Sequence, residues 1–306
     1  MRVFITGATG LLGRALSASL AGAGHEVLAL SRSGGSRAGL APGVRLVQGD
    51  PTAPGPWLDE LAGCDACVNL AGESLAAGRW TAERKRAIRS SRVDTTRNLA
   101  RRIAEGGPSV LVSGSAIGIY GDRGDEELDE DSSPGDDFLA GLAREWEEAA
   151  APATRRARVV LLRTGIVLAR DGGALPRLAQ PFRLFAGGPM GGGDFWQSWI
   201  HVDDEIGLLR FALEDRRVSG ALVATAPAPV RNRDFAHSLG RVLGRPSSLP
   251  TPAVALRAAL GEMAGVVVSS QRVLPRKALA LGYDFRWPAL EPALRDLLGE
   301  PARGPG

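Results

Sequence analysis

The chain begins with the run Arg2-Val3-Phe4-Ile5-Thr6-Gly7-Ala8-Thr9-Gly10-Leu11-Leu12-Gly13, in which an apolar strand pattern passes directly into a glycine-punctuated turn and a helical pattern. Glycines at this spacing let the backbone turn tightly, approach a pyrophosphate and pack the new helix against its strand. The N–H groups at the start of such a helix can bind the phosphates. The run therefore predicts a dinucleotide-binding site, although a glycine turn without a ligand would have the same local pattern.

The residues that follow complete a β-α-β unit. The helical pattern closes at residues 22–24, and residues 26–30 have the composition of a second strand. A unit of about thirty residues has the length that this motif needs. Within it, the predicted cofactor contacts are Gly7, Thr9, Gly10, Leu11, Leu12 and Gly13.

The end of the second predicted strand indicates which dinucleotide would bind. An NAD site usually has an acidic residue about 20 residues beyond the glycines, whereas an NADP site has a cation there for the 2′-phosphate. This chain has Ser31-Arg32-Ser33 at that point and no acidic residue between Glu26 and Asp50. Arg32 offers a planar charged fork, and Ser31 or Ser33 could donate a hydroxyl. The sequence favours NADP(H); a solvated surface arginine is the alternative.

Composition limits the class of protein. The 306 residues carry a net charge of +3 from 37 basic and 34 acidic residues, and no block of like charge suggests a nucleic-acid partner. We find no signal peptide and no apolar run long enough for a membrane span, so we expect a cytoplasmic protein with no membrane partner. Cys64 and Cys67 lack neighbours that would complete a zinc set, so we predict two buried free thiols and no metal site.

Alternation of apolar strands and helices predicts an α/β fold with a Rossmann-type, doubly wound parallel sheet and a smaller, mainly helical C-terminal substrate lobe. Further strands are predicted at residues 44–47, 66–70, 109–113, 159–163 and 220–224. The main helices are predicted at Ala82–Glu105 and Phe138–Ala149. We expect an NADP-binding Rossmann domain over residues 1–165, completed by residues 200–226, and a substrate-side lobe over residues 166–199 and 227–306.

Several motifs follow one another in a familiar order. They are the glycine run; Asp50; Asn69-Leu70-Ala71-Gly72; Ser113-Gly114-Ser115 with Tyr120-Gly121; and Trp199-Ile200-His201-Val202-Asp203-Asp204. With this order the chain resembles the extended short-chain dehydrogenase/reductase superfamily along nearly its whole length. The resemblance implies further cofactor contacts at Asp50, Leu70, Ala71, Gly72, Glu73, Ser113, Arg163, Gly165 and Val167.

A second set of motifs is more specific. It consists of residues 69–73, Arg89-Ser90-Ser91-Arg92, Glu145-Trp146-Glu147, residues 163–168 and Gln271-Arg272-Val273-Leu274-Pro275. These motifs look like the atypical, NADP-binding, epimerase-like branch of YfcH type. The resemblance also implies that a homodimer could form through the helices at 82–105 and 138–149.

The proton-transfer pair of the resembling superfamily is absent. There a Tyr-x-x-x-Lys pair, aided by Ser or Thr, exchanges a proton with the substrate, and the lysine charge stabilises the phenolate. Phe138 and Leu142 stand at these positions here, and none of the chain's tyrosines stands four residues before a lysine. The resemblance therefore does not carry over the usual reaction.

Three residues remain as catalytic candidates, each with a structural alternative. Ser115 could hydrogen-bond a substrate carbonyl or cap a strand end. Glu73 could act as a base or accept from a ribose, or it could cap a helix or pair with an arginine such as Arg79. Tyr120 could act as an acid, but its usual counterpart mostly shapes the pocket.

The segment at residues 171–199 is rich in glycine, proline and aromatic residues, which suits a substrate-facing loop or a crowded structural loop. We predict substrate-pocket roles for Trp196, Trp199 and His201, with a structural role as the alternative for His201. Asp203 and Asp204 are expected to cap the next helix.

Two functions fit the sequence. The first is an NADP-dependent oxidoreductase or nucleotide-sugar-type epimerase of unusual mechanism, acting on an unknown small molecule. The second is a catalytically silent NADP(H)-binding sensor.

Overall fold

The computed structural model describes residues 1–32 and 39–299. Its strands are β1 (Arg2–Thr6), β2 (Glu26–Ser31), β3 (Arg45–Gln48), β4 (Ala66–Asn69), β5 (Val110–Ala116), β6 (Glu127–Leu128), β7 (Arg158–Thr164), β8 (Ile166–Ala169), β9 (Gly172–Gly173), β10 (Trp196–Gln197), β11 (Trp199–His201), β12 (Gly220–Ala224), β13 (Val230–Arg231) and β14 (Arg272–Val273).

The α-helices follow in the same way. They are α1 (Leu11–Gly22), α2 (Trp57–Ala62), α3 (Ala82–Glu105), α4 (Phe138–Ala149), α5 (Leu175–Arg183), α6 (Val202–Glu214), α7 (Asn232–Leu243), α8 (Ala253–Leu260), α9 (Met263–Val267), α10 (Arg276–Ala280) and α11 (Leu290–Leu298). Short 3-10 helices span Ile117–Tyr120 and Ala151–Arg155.

Seven parallel strands form the central sheet, in the order β12-β7-β5-β4-β1-β2-β3. Side chains alternate between its faces: Val3 and Ile5 pack with Leu16 of α1 on one face, and Phe4 packs with Leu99 of α3 on the other. Helices cover both faces, which confirms the predicted Rossmann-type fold. The carboxyl ends of β1, β2 and β4 lie side by side at one edge of the sheet, where ligands bind in such folds.

The observed elements agree closely with those predicted from the sequence. Helices α3 and α4 and strand β12 have the predicted bounds, and both cysteines are free and buried. Strand β5 is longer than predicted, because its pairing with β7 continues to Ala116 opposite Thr164. Ser115 is therefore held inside a strand rather than in a loop.

A second, smaller core lies in the C-terminal part. Helices α5, α7 and α11 pack around a buried cluster that contains Trp199 and Phe235, beside the three-stranded sheet β11-β8-β9. Part of the C-terminal chain leaves this cluster, because Ala278 and Phe285 pack in the main core with α1 and α6. The division at residues 165/166 and 226/227 stays a prediction.

Helix α6 begins differently from the prediction. Its N-terminal cap is His201, whose Nδ1 accepts a hydrogen bond from Asp203 N at 3.0 Å. Asp203 and Asp204 lie inside the first turn, and Asp204 accepts instead from the backbone of Arg286 and Trp287. The expected caps are thus wrong, because the N-cap lies two residues before Asp203 and three before Asp204. Over residues 1–32 and 39–299, none of the helices has the length and apolar character needed to cross a membrane.

Candidate functional site

A cavity of about 290 Å³ lies at the carboxyl ends of β1, β2, β3 and β4. Its walls come from the first glycine turn and from the chain just beyond each strand. The lining residues are Gly7, Thr9, Gly10, Leu30, Ser31, Arg32, Asp50, Pro51, Thr52, Leu70, Ala71, Gly72, Glu73 and Ser91. The cavity therefore brings together five segments that are spread along the chain between Gly7 and Ser91.

The glycine turn is shaped for close approach of backbone to backbone. Gly7 has a φ of +68°, and a Cβ placed on it would lie 2.5 Å from the Leu70 carbonyl oxygen. A Cβ on Gly13 would lie 2.5 Å from the Cα of Ala8 and would overlap the Gly7 carbonyl oxygen. Only glycine lets α1 begin this close to β1, with its N-cap residue Gly10 at the cavity. This cradle fits the pyrophosphate of a dinucleotide.

Two arginines and one glutamate set the charge at the cavity. Glu73 Oε1 lies 3.5 Å from Arg32 Nη2, and its Oε2 lies 3.4 Å from Arg84 Nη1. The Arg32 side chain is 71% exposed, so the pair that it forms is weak and the guanidinium can reach another anion. Arg79, the partner considered from sequence, donates to the Ala258 carbonyl instead.

Asp50 is fixed as an acceptor next to this charge. It accepts from the Thr52 hydroxyl at 2.7 Å and the Thr52 N–H at 2.9 Å. These hydrogen bonds, followed by the positive charge of Arg32, lower the pKa of Asp50 below its usual value. Ser31 also lines the cavity, whereas Ser33 lies outside the described residues.

Leu11, Leu12 and Gly13 do not line the cavity, although they were predicted cofactor contacts. Leu11 packs against the turn at Gly172, Leu12 packs against the main core, and Gly13 serves the close approach of α1 to β1. A contact between these three residues and a bound cofactor stays a prediction.

Four further predicted contacts also lie away from the cavity. Ser113 is fully buried beside the Asn69 amide, and Val167 pairs with Ile200 in the small sheet. At Gly165, a Cβ would meet the Ser198 carbonyl oxygen at 2.6 Å. Arg163 is used by an internal ion pair described below.

Sequence reasoning missed four lining residues: Leu30, Pro51, Thr52 and Ser91. Three of them are direct neighbours of predicted residues on the same strand ends, so extending each segment by one or two positions would have found them. Ser91 comes from α3 and stands in the quoted motif Arg89-Ser90-Ser91-Arg92, but no local signal shows that it faces the cavity.

The catalytic candidate Ser115 lies in a buried polar network. Its Oγ donates to Glu147 Oε1 at 2.7 Å, and Arg163 donates from Nε and Nη2 to the two Glu147 oxygens, each at 2.9 Å. Arg163 Nη1 also donates to the Tyr120 hydroxyl at 3.1 Å. Glu147 belongs to a quoted motif, but sequence gave no role to it, because its partners come from distant strands.

The network changes the expectation for Tyr120. Its ring is fully buried and its hydroxyl donates to the Asp129 carbonyl at 2.7 Å. Burial raises the pKa of Tyr120 to about 12, although the neighbouring Arg163 lowers it. A phenol that is inaccessible and holds its proton this firmly is a poor acid or base at neutral pH. Lys85 does not rescue it, because that amine pairs with Glu262.

Phe138 and Leu142 fill the place of the missing dyad with apolar contacts. The Phe138 ring meets the Trp80 ring edge-on at 5.3 Å, and the Lys85 amine lies 5.0 Å from the Phe138 ring centroid. Leu142 packs in the same cluster. No group in this cluster of described side chains can replace the tyrosine as a proton donor.

The three predicted pocket residues have different surroundings. Trp196 is partly exposed between the guanidinium groups of Arg231 and Arg272, at 4.7 and 4.8 Å from its ring. Trp199 is fully buried in the C-terminal core, with its indole N–H donating to Ala228. We therefore do not propose a substrate contact for Trp199, because residues of α7 and α11 enclose its ring.

His201 is also structural in this fold. Its Nδ1 accepts the cap hydrogen bond, so Nε2 carries the proton and donates to Asp296 at 3.2 Å. The ring stacks on Trp287 at 4.9 Å. Burial lowers the pKa of His201, while nearby aspartates oppose that shift.

Comparison with known proteins agrees with this geometry. Residues 3–223 match the NAD dependent epimerase/dehydratase family, and residues 251–297 match a domain of unknown function, DUF1731. The chain is 41% identical over 302 residues to the epimerase family protein SDR39U1 homolog, chloroplastic, of Arabidopsis thaliana, covering 97% of this chain and 87% of that protein. It is 39% identical over 304 residues to the epimerase family protein YfhF of Bacillus subtilis, covering 98% and 99% of the two chains.

A solved structure shows the same architecture. The crystal structure of human epimerase family protein SDR39U1 (isoform 2) with NADPH matches with a TM-score of 0.86 and 37% sequence identity. The match covers 97% of this chain and 99% of the human chain.

Proposed function

This chain belongs to the NAD-dependent epimerase/dehydratase family, and from that membership we propose that it is an NADP(H)-binding oxidoreductase or epimerase of the atypical extended short-chain dehydrogenase/reductase type. Its YfcH-type subclass and its small-molecule substrate are part of the same proposal. The proposal also includes a homodimer that forms through α3 and α4.

The cavity at the carboxyl ends of β1, β2 and β4 carries the proposal. It combines a glycine turn with no room for a Cβ at Gly7, the N-cap residue Gly10 of α1 and the exposed guanidinium of Arg32 just beyond β2. These groups suit a pyrophosphate and a 2′-phosphate. The human relative of the same fold was solved with NADPH, which supports the choice of cofactor.

The residues that would act on a substrate differ from the usual set. When bound, NADP(H) supplies or accepts a hydride. Ser115, at the carboxyl end of β5, offers a hydroxyl oxygen that Glu147 and Arg163 hold in one orientation. The Tyr120 hydroxyl accepts a hydrogen bond from Arg163 and donates its own proton in a hydrogen bond to the Asp129 carbonyl. Ser115 is thus the group we assign to the substrate.

One observation favours the second function, an NADP(H)-binding sensor without turnover. Phe138 and Leu142 replace the proton-transfer pair and pack against Trp80 in an apolar cluster. A protein that needs only to bind the cofactor would tolerate this packing, because no proton has to move there.

Absorbance of NADPH with a metabolite panel separates the two functions. The purified chain is incubated with NADP⁺ or NADPH and a panel of nucleotide sugars, secondary alcohols and their ketones, and the absorbance of the reduced nicotinamide is followed. Epimer formation is followed by chromatography. Turnover that is lost in Ser115→Ala supports the enzyme, whereas tight NADPH binding with no turnover across the panel supports the sensor. Absence of NADPH binding would contradict both.

A further inference from the structure

Ser115 and Glu147 form a hydrogen bond whose direction the structure fixes. Ser115 Oγ lies 2.7 Å from Glu147 Oε1, and Arg163 donates two further hydrogen bonds of 2.9 Å to the same carboxylate. The Glu147 and Arg163 side chains are each 11% exposed. This is a bidentate, largely buried ion pair, the geometry in which arginine binds carboxylates most strongly.

The direction follows from the chemistry of the three groups. Arginine has only donors, so both Glu147 oxygens accept from Arg163. With both oxygens acting as acceptors, the proton between Ser115 and Glu147 belongs to the serine. A serine hydroxyl has a single proton, and here that proton is already used.

The rest of the network prevents Ser115 from changing partner. Arg163 Nη1 donates to the Tyr120 hydroxyl and to the Glu130 carbonyl at 2.9 Å. The Tyr120 hydroxyl donates a hydrogen bond to the Asp129 carbonyl. Each donor in this chain of contacts has an acceptor, so Arg163 cannot turn away without leaving buried groups unpaired. The carboxylate therefore stays aligned with Ser115.

We propose that Glu147 is a positioning residue that makes the Ser115 oxygen an obligate hydrogen-bond acceptor, so that the site selects a substrate that presents a hydroxyl rather than a carbonyl. A substrate carbonyl facing Ser115 would find no hydrogen-bond donor, because the Ser115 proton is already donated to Glu147. This inference rests on the proposed function in taking Ser115 as the residue that faces the substrate. It replaces the expectation that Ser115 donates to a substrate carbonyl.

Glu147 is not itself the proton acceptor for the substrate in this arrangement. Both of its oxygens already accept hydrogen bonds from Arg163. Glu147 therefore affects whether Ser115 binds a hydroxyl or a carbonyl of the substrate, and the test measures that binding preference.

The direction of the hydrogen bond can be observed by neutron diffraction from deuterated crystals of the full chain. We expect a deuteron on Ser115 Oγ pointing at Glu147 Oε1. A deuteron that points away from Glu147, or one bound to the Glu147 carboxyl, would overturn the inference. NADPH titration of the same preparation reports on the proposed function separately, so failure of one is distinguishable from failure of the other.

The substrate preference is tested with cyclohexanol and cyclohexanone as matched probes. Each is titrated into the chain saturated with NADP⁺, and binding is followed by saturation-transfer NMR. We expect the alcohol to bind roughly two- to tenfold more tightly than the ketone, the worth of one net hydrogen bond. Tighter binding of the ketone, equal binding, or binding of neither probe would contradict the substrate assignment.

Variants then attribute the preference to the pair. Ser115→Ala should remove the preference and Ser115→Thr should keep it, and both leave the Glu147–Arg163 pair intact. Glu147→Gln should also reduce the preference, because an amide cannot accept from both Arg163 donors and from Ser115. Glu145→Gln is the matched control: this carboxylate lies on the same helix and pairs with the exposed Arg89. A preference that survives in Ser115→Ala would sink the proposal even where Glu147→Gln fails to fold.

Discussion

Arg32 is the single residue on which the choice of dinucleotide depends. It lines the cavity at the end of β2 and its charge is only weakly engaged by Glu73 at 3.5 Å. Glu73 keeps a second partner in Arg84 at 3.4 Å. Arg32 can therefore leave this pair for a phosphate without stranding an unpaired carboxylate.

We expect Arg32→Ala to weaken NADPH binding about 10- to 100-fold, the worth of hydrogen bonds to a charged group, and to leave NADH binding nearly unchanged. NADH lacks the 2′-phosphate that would contact this side chain. Fluorescence titration with both cofactors measures the two dissociation constants. Arg295→Ala, an exposed arginine on α11, is the control, and an equal loss for both cofactors in Arg32→Ala would contradict the assignment.

Glu205 is a buried carboxylate whose ionisation opposes folding. It lies on α6 with no exposed surface, accepts from the Thr164 hydroxyl at 2.7 Å, and its Oε2 has no hydrogen-bond partner among the described residues. Burial raises the pKa of Glu205 to about 8, although the Thr164 hydrogen bond lowers it. The folded chain thus keeps a proton that the unfolded chain loses near pH 4.5.

The consequence is a stability that falls as the pH rises from about 4.5 to 8, because the unfolded state binds fewer protons over that range. We expect Glu205→Gln, which keeps an acceptor for Thr164, to stabilise the chain at pH 8 by about 4 kcal/mol and to have little effect at pH 5. Urea denaturation at the two pH values gives the free energies of unfolding. Glu214→Gln on the same helix is the exposed control, and an unchanged pH dependence in Glu205→Gln would refute the explanation.

At the level of elements, helix α1 shows how one position can serve both packing and binding. Gly13 sits where a Cβ would overlap the Gly7 carbonyl oxygen, so the start of α1 and the glycine turn are packed backbone to backbone. Gly22, at the other end of α1, has no atom within 4 Å of the position of an added Cβ. Gly22 is therefore a control for Gly13: both lie in α1, but only Gly13 lacks room for a Cβ.

Gly13→Ala should lower both the thermal midpoint and the NADPH affinity, the latter by at least about tenfold, because α1 must move away from the phosphate site. Gly22→Ala should leave NADPH binding unchanged and stabilise the chain by up to about 1 kcal/mol, since glycine is a poor helix former. Thermal denaturation and NADPH titration of both variants provide the test. Equal NADPH affinities in the two variants would show that the close approach at Gly13 is unnecessary for binding.

At the level of the whole molecule, the two lobes are joined by more than the chain that connects them. Asp204 at the start of α6 accepts from the backbone N–H groups of Arg286 and Trp287, both at 2.9 Å. Tyr283 donates to the Asp204 carbonyl, and Phe285 packs in the main core. The C-terminal segment therefore contributes to the core of the Rossmann domain.

This interlocking predicts one cooperative unfolding transition. Far-UV circular dichroism and tryptophan fluorescence in urea should give the same midpoint, and Asp204→Ala should lower it for both probes. The two backbone N–H groups left unpaired would each cost about 1–3 kcal/mol. Two separate midpoints in the unchanged chain would instead indicate lobes that unfold independently.

The sequence by itself determined the seven strands of the central sheet, the long helices between them, the glycine turn and the cation after the second strand. These features are local: strand and helix periods, and the residues that directly follow a strand, are visible along the chain. For that reason the bounds of α3 and α4 and the cavity residues around Gly7, Arg32 and Asp50 follow from the sequence.

Only the tertiary structure decided how the remaining polar residues are used. Ser115, Glu147 and Arg163 come from β5, α4 and β7, and their hydrogen bonds form because the sheet order places β7 beside β5 under α4. Trp199 likewise has a loop-like sequence context, yet the packing of α7 and α11 encloses its ring. Contacts between distant segments depend on the register and packing of the whole fold, and no local pattern encodes them.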